Sequence, residues 1–221
     1  MRHRAGSGAR SPAEPHPRQR THLDHYEIIA ERFQGAIEQI AMSVDRLAQP
    51  LSRGSEAACQ ALLEDRKLLC CGAGPGAALC QLFVAGLLSR VDQERPALPA
   101  FCLNADGATL AAITSDSGPG AAYARQVRAL GQDGDILLLI SSGGNNPSLE
   151  QAVRAARERN MRLIALSNDA DTSLPGMLGA GDVLIEVEGS TRSRVVELQV
   201  MALNTLCHLI ENGLFGGFNQ D

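Results

Sequence analysis

The sequence predicts an α/β fold: a doubly wound domain with five parallel strands covered by helices on both faces, and two helices ahead of the first strand. Three observations predict it. From residue 67 onward, apolar runs of strand length alternate with helical patterns, and that alternation builds a parallel sheet buried on both sides. Two of the runs break into glycine and small polar residues just before a helical pattern: Leu-Leu-Cys-Cys-Gly-Ala-Gly-Pro-Gly at 68–76 and Ile-Leu-Leu-Leu-Ile-Ser-Ser-Gly-Gly-Asn-Asn at 136–146. Such loops gather backbone N–H groups, helix N-termini and hydroxyls at the carboxyl ends of parallel strands, where open α/β sheets hold phosphate-bearing ligands. Third, no internal repeat or second domain boundary interrupts the alternation.

Residues 1–23 hold Arg2, Arg4, Arg10, Arg18 and Arg20 against Glu14 alone, with a Pro-rich stretch at 11–17. This basic arm has too little apolar surface to order itself and is expected to be disordered, or to touch an acidic partner. From 24 to 48, Ile28, Ile29, Phe33, Ile37, Ile40, Val44 and Leu47 recur at three- and four-residue steps, an amphipathic helix expected to stop at Pro50. A second helix is predicted over about 55–65, with Ser55 as N-cap. The segment 24–66 is assigned to oligomerisation, because its apolar faces need a cover. The strands are predicted at 67–71, 99–103, 135–140, 161–166 and 182–187, and the helices at about 77–90, 120–130, 147–159 and 192–213. The last helix, with Val195, Leu198, Met201, Leu206 and Ile210, is apolar nearly all round, so it belongs in the core or between subunits. The domain is expected to span 67–217, leaving a short tail at 218–221.

Composition narrows the function classes. The 221 residues are 44% apolar and 20% charged, with no run long enough to span a bilayer, and no signal-type apolar region precedes the domain, so a cytoplasmic protein without a membrane role is expected. Aromatics are 3% with no Trp, which argues against stacking platforms for nucleic acid. The six cysteines lack Cys-x-x-Cys spacing and mostly sit in apolar runs, so they read as buried small hydrophobes rather than disulfides or metal ligands. Between His25 and His208 there is no histidine.

Neither loop fits a standard nucleotide motif. Gly72-Ala73-Gly74-Pro75-Gly76 lacks the Lys-Ser/Thr of a P-loop, and its third glycine comes too early for a dinucleotide fingerprint. Ser141, Ser142, Gly144 and Asn145 supply hydroxyls and amides suited to a phosphate, although the serines could instead cap the following helix. Asp116 could contact a ligand or simply form a turn. Leu214 and Phe215 follow Gly213, a residue suited to ending a helix; the pair either projects toward a partner or seals the domain.

The whole pattern resembles the sugar isomerase (SIS) domain family, and in particular its phosphoheptose isomerase group together with the non-catalytic branch that associates with the replication initiator DnaA. The resemblance covers about 26–217. Besides the two loops it rests on Glu94-Arg95-Pro96-Ala97-Leu98-Pro99-Ala100, on Gln126-Val127-Arg128-Ala129-Leu130-Gly131 with Gly134-Asp135-Ile136-Leu137-Leu138, and on Leu206-Cys207-His208-Leu209-Ile210-Glu211-Asn212-Gly213-Leu214-Phe215. It implies the flavodoxin-like five-stranded SIS sheet in a homotetramer. It also implies a phosphosugar site at Ser141, Ser142, Gly144, Asn145, Asp116, Gly72 and Gly74, with Gly143 and Asn146 where the isomerases carry serine. Ala73 and Gly76 stand for the family's Asn and Ser, and Pro75 for a glycine, which removes an N–H donor.

The isomerase acid and base positions fall at Leu82, Gly86, Val196 and Asn204. Moving a proton beside a carbonyl needs a base and an acid; Leu, Gly, Val and Asn offer neither at neutral pH, and the first three cannot bind metal. The resemblance therefore implies a non-catalytic, metal- and cofactor-free regulator of replication initiation that binds DnaA through Leu214 and Phe215. The alternatives are a phosphoheptose isomerase acting on sedoheptulose 7-phosphate and a phosphosugar-binding sensor.

Overall fold

The computed structural model describes residues 25–91 and 94–216; the basic arm at 1–23 and the tail at 218–221 lie outside the described residues. The chain divides into two compact units, Met1–Gly35 and Ala36–Asp221. In the first, the described residues are the opening turns of α1 (His25–Leu63), where Tyr26, Ile28, Ile29 and Phe33 are exposed.

The sheet of the second unit contains β1 (Leu68–Gly72), β2 (Ala100–Cys102), β3 (Ile136–Ile140), β4 (Arg162–Asn168) and β5 (Val183–Val187). All are parallel, in the order β2-β1-β3-β4-β5. The central strands are uninterrupted apolar runs because both of their faces are covered. Leu68, Cys70, Ile136, Leu138 and Ile140 face a layer built from α1, α2 (Gly76–Leu88) and α6 (Arg192–Phe215). Leu69, Cys71, Leu137 and Leu139 face α4 (Ala124–Leu130) and α5 (Pro147–Glu158). Strand order reverses between β1 and β3, which opens a crevice at their carboxyl ends.

The structure corrects the expected elements in three places. The two N-terminal helices are one: α1 runs through Pro50. Proline removes one helical hydrogen bond, but Leu47, Leu51, Ala58 and Ala61, on either side of it, all bury in the same core. Salt bridges from Arg46 to Glu186 (2.7 Å) and Glu188 tie this stretch to the end of β5. Second, α3 (Gly107–Ser117) is a helix that the apolar pattern does not announce, since none of its residues is buried; Asp106 caps it by accepting from the N–H groups of Ala108 and Thr109. Third, α6 does not end at Gly213 but continues to Phe215. Gly213 serves close approach instead: a Cβ there would lie 2.8 Å from Cys59 Sγ on α1.

All six cysteines are free, and Cys70, Cys71, Cys80 and Cys207 are buried. Burial raises their thiol pKa values, that of Cys207 to about 12. Thiolate is the reactive form, so Ellman's reagent is expected to react slowly with native protein, at the half-buried Cys59 and Cys102 first, and with all six after unfolding. Rapid labelling of Cys71 in the native state would contradict this core.

Candidate functional site

The first loop is a rigid turn before it is a ligand site. Gly72 ends β1; its N–H donates to Asn104 Oδ1 (2.9 Å), and its carbonyl accepts from Asn104 Nδ2 (3.0 Å) and the Tyr123 hydroxyl (2.8 Å). A Cβ on Gly72 would lie 2.1 Å from the Gly76 carbonyl oxygen, and one on Gly76 2.6 Å from that of Ile140. Those two glycines let α2 start directly against β1 and β3, so no side chain of any kind has room at either position. Gly74 has φ +55° and is exposed on top of the turn.

In the second loop the candidate residues part company. Ser141 is buried; its carbonyl accepts from Gln199 Nε2 (2.6 Å) and its hydroxyl oxygen from the Gly143 N–H (3.3 Å). The cap of α5 is neither serine but Asn146, which accepts from the Leu149 N–H and the Ser148 hydroxyl. Gly144 and Asn145 are exposed, and Gly143 and Gly144 have φ of +111° and +79°. Asp116 is exposed on the last turn of α3.

A pocket of about 440 Å³ lies over the carboxyl ends of β3, β4 and β5. Ser142 and Gly143 line it from one side, Asn168, Asp169 and Ala170 from the end of β4, and Gly189, Ser190, Thr191, Arg192 and Val195 from the loop and helix after β5. Of the expected ligand residues only Ser142 lines this pocket; Gly72, Gly74, Asp116, Ser141, Gly144 and Asn145 do not. Asn168, Thr191 and Arg192 escaped the sequence reading. Their loops, Asn-Asp-Ala and Gly-Ser-Thr after apolar runs, carry the same break into small polar residues that marked the other two.

At the opposite end of the sheet, Leu214 and Phe215 do not project freely. Both are half-buried against the core, and with Leu62, Leu63, Leu98 and Pro99 they line a small cavity of about 180 Å³. Leu63 beside them is 75% exposed. An apolar groove of about 540 Å³, lined by Cys59, Leu63 and Leu209 with Glu56 and Glu64, adjoins it.

The residues at the expected isomerase positions stand on α2 and α6. Leu82 is an exposed apolar side chain, a Cβ on Gly86 would lie 3.1 Å from Val91 and 3.3 Å from Cys207, Val196 is half-buried and Asn204 exposed. Among the described residues no three His, Cys, Asp or Glu side chains cluster to hold a metal ion. Nor is any described helix long and apolar enough to cross a membrane.

A parallel 2-1-3-4-5 sheet with polar loops at its strand ends defines a doubly wound, flavodoxin-like α/β domain, and comparison with known proteins makes the class specific. The SIS domain model matches residues 32–168, and the chain belongs to that family. The DnaA initiator-associating protein DiaA of Pectobacterium carotovorum is 42% identical over 183 residues, covering 83% of this chain and 93% of that protein. Among solved structures, a phosphoheptose isomerase from Francisella tularensis superposes with a TM-score of 0.79 at 27% identity, covering 86% of this chain and 100% of that one. Phosphoheptose isomerase GmhA from Neisseria gonorrhoeae superposes with a TM-score of 0.78 at 33% identity, over 85% and 98%.

Proposed function

We propose that this chain is a non-catalytic SIS-domain regulator of replication initiation, cytoplasmic and homotetrameric, that binds the initiator DnaA and retains a weak phosphosugar pocket. The reading is supported by one observed identity and by one chemical expectation. Over 83% of its length the chain is 42% identical to a DnaA initiator-associating protein. Leu82 and Gly86 on α2, which the resemblance matches to the isomerases' acid and base positions, can serve as neither. A tetramer raises the local concentration of whatever each subunit holds, which is how such a protein would favour initiator assembly without chemistry of its own. The exposed Ile37, Met42 and Val44 of α1, like Tyr26, Ile28, Ile29 and Phe33 before them, provide apolar surface for the subunit contacts.

Leu214 and Phe215 form the docking surface in this reading, with exposed Leu63 at its edge. Because Phe215 is half-buried, Phe215→Ala is expected to lower stability by about 1–2 kcal/mol as well as weaken DnaA binding by about 1–3 kcal/mol. Leu63→Ala separates the two effects: an exposed side chain contributes little to folding, so its melting temperature should stay put while DnaA binding weakens. Surface plasmon resonance with immobilised DnaA, beside light scattering for mass, reads both. Unchanged DnaA binding by both variants moves the docking surface elsewhere.

The isomerase reading is favoured by the two superposed enzymes, and a sedoheptulose 7-phosphate turnover assay decides it. Turnover is expected to match buffer, with or without added zinc; an enzyme-dependent rate that survives repurification overturns the non-catalytic reading.

A further inference from the structure

The pocket over β3, β4 and β5 holds one cation, Arg192, at the first residue of α6. Arg192 is exposed, and among the described residues no carboxylate or carbonyl pairs with it. Its guanidinium reaches back over the first loop: Nη2 lies 2.9 Å from where a Cβ on Gly74 would stand. Gly74, at φ +55°, has no side chain to block that path. The group therefore spans from the start of α6 to the loop after β1, across the mouth of the crevice.

Two further features of the pocket are unmet. Asn168 is 4% exposed; its Nδ2 donates to the Ser142 carbonyl (3.0 Å), but its Oδ1 has no partner. A buried acceptor left without a donor costs stability unless a ligand or water supplies one. The exposed Asp169 carboxylate stands beside it on the same rim. Across the pocket, the Ser190 and Thr191 hydroxyls and the N-terminus of the 24-residue α6 flank Arg192, while Ser142 lies beside Asn168. One lip of the pocket thus accepts hydrogen bonds and the other donates them beside a positive charge.

We propose that Arg192 is the specificity-determining residue of this pocket: its guanidinium takes the phosphate of a small polyol phosphate, and Asn168 Oδ1 accepts from one of that ligand's hydroxyls. The proposal rests on the reading that the chain retains a phosphosugar pocket, and assigns the anchoring of the anion to α6 rather than to the Ser141–Asn145 loop. A planar guanidinium donates to two phosphate oxygens at once and brings a positive charge, which hydroxyls do not carry.

Ligand-observed NMR titrations of the full-length protein with sedoheptulose 7-phosphate, sedoheptulose and inorganic phosphate test it. Wild type is expected to bind the phosphate ester more tightly than either fragment. Arg192→Ala should weaken the ester and inorganic phosphate by on the order of tenfold or more, and leave sedoheptulose unchanged. Arg192→Lys keeps the charge without the fork and should fall between. Because Arg192 is exposed and has no ion-pair partner among the described residues, the melting temperature of these variants should not move. Ser142→Ala should cost less than Arg192→Ala. If Arg192→Ala binds the ester as wild type does, the assignment to Arg192 is overturned while the phosphosugar reading stands. If wild type binds none of the three probes up to millimolar concentrations, both fall.

Discussion

Glu211→Ala is expected to destabilise the protein by about 3–5 kcal/mol, lowering its melting temperature by roughly 10 °C for a chain of this size. Glu211 and Arg95 are both 1% exposed at the side chain and meet at 2.9 Å. The carboxylate accepts from Arg95 Nε and from the Val91 N–H, each at 3.0 Å. The guanidinium also donates to the carbonyls of Gly86 and Leu87, both at 2.6 Å, and of Pro96 at 3.0 Å. Gly86 and Leu87 lie in the last turn of α2, whose carbonyls have no helical partners, so the arginine satisfies that end while its charge complements the helix dipole. Removing the glutamate leaves an arginine charge buried among carbonyls without its counter-ion. Removing both charges, as Arg95→Met with Glu211→Leu, should cost clearly less than either single charge deletion, because a buried pair offsets its own desolvation poorly. Urea unfolding of the two singles and the double checks this. A double variant as unstable as the sum of the singles would mean that the pair contributes nothing as a pair.

The second large effect is expected from Gly72→Ala, at about 3 kcal/mol or more, the upper end of the overpacking range. The added methyl would meet the Gly76 carbonyl oxygen at 2.1 Å and its carbon at 2.3 Å, and both are backbone atoms at the start of α2. Nothing flexible can yield, since Gly72 is itself held by Asn104 and Tyr123. Gly144→Ala is the contrast. Its φ is +79°, but a Cβ there meets nothing within 4 Å, so only backbone strain of about 1–2 kcal/mol applies. Equal losses for the two substitutions would show that α2 can move away from β1 at little cost.

Both effects bear on how the site works. Gly72 sets the distance between the first strand and α2, and Arg95 anchors the far end of the same helix. The two contacts thus fix α2 at its start and at its end.

The five strands, and the helices α2, α5 and α6, were legible in the sequence because their signals are local. A strand buried on both faces is a continuous apolar run, and a helix covering a sheet repeats at three and four residues. The glycine and serine loops after β1 and β3 were legible for the same reason, and so was the SIS family. The helix α3 was not, since a helix with no buried residue leaves no stripe. Pro50 misled because its cost is local and visible, while the burial of Leu47, Leu51 and Ala58 that outweighs it depends on β5 and α6. Gly213 read as a helix end from its own freedom, whereas its real constraint is Cys59 on another helix. The same holds for the site. The sequence by itself determined that polar loops crown a parallel sheet; only the tertiary structure decided that Ser142, Asn168 and Arg192 share a pocket and that Asp116 stands apart from it. Periodicity and composition act over a few residues, whereas Arg95 and Glu211, or Gly74 and Arg192, meet only after more than a hundred residues of chain have packed.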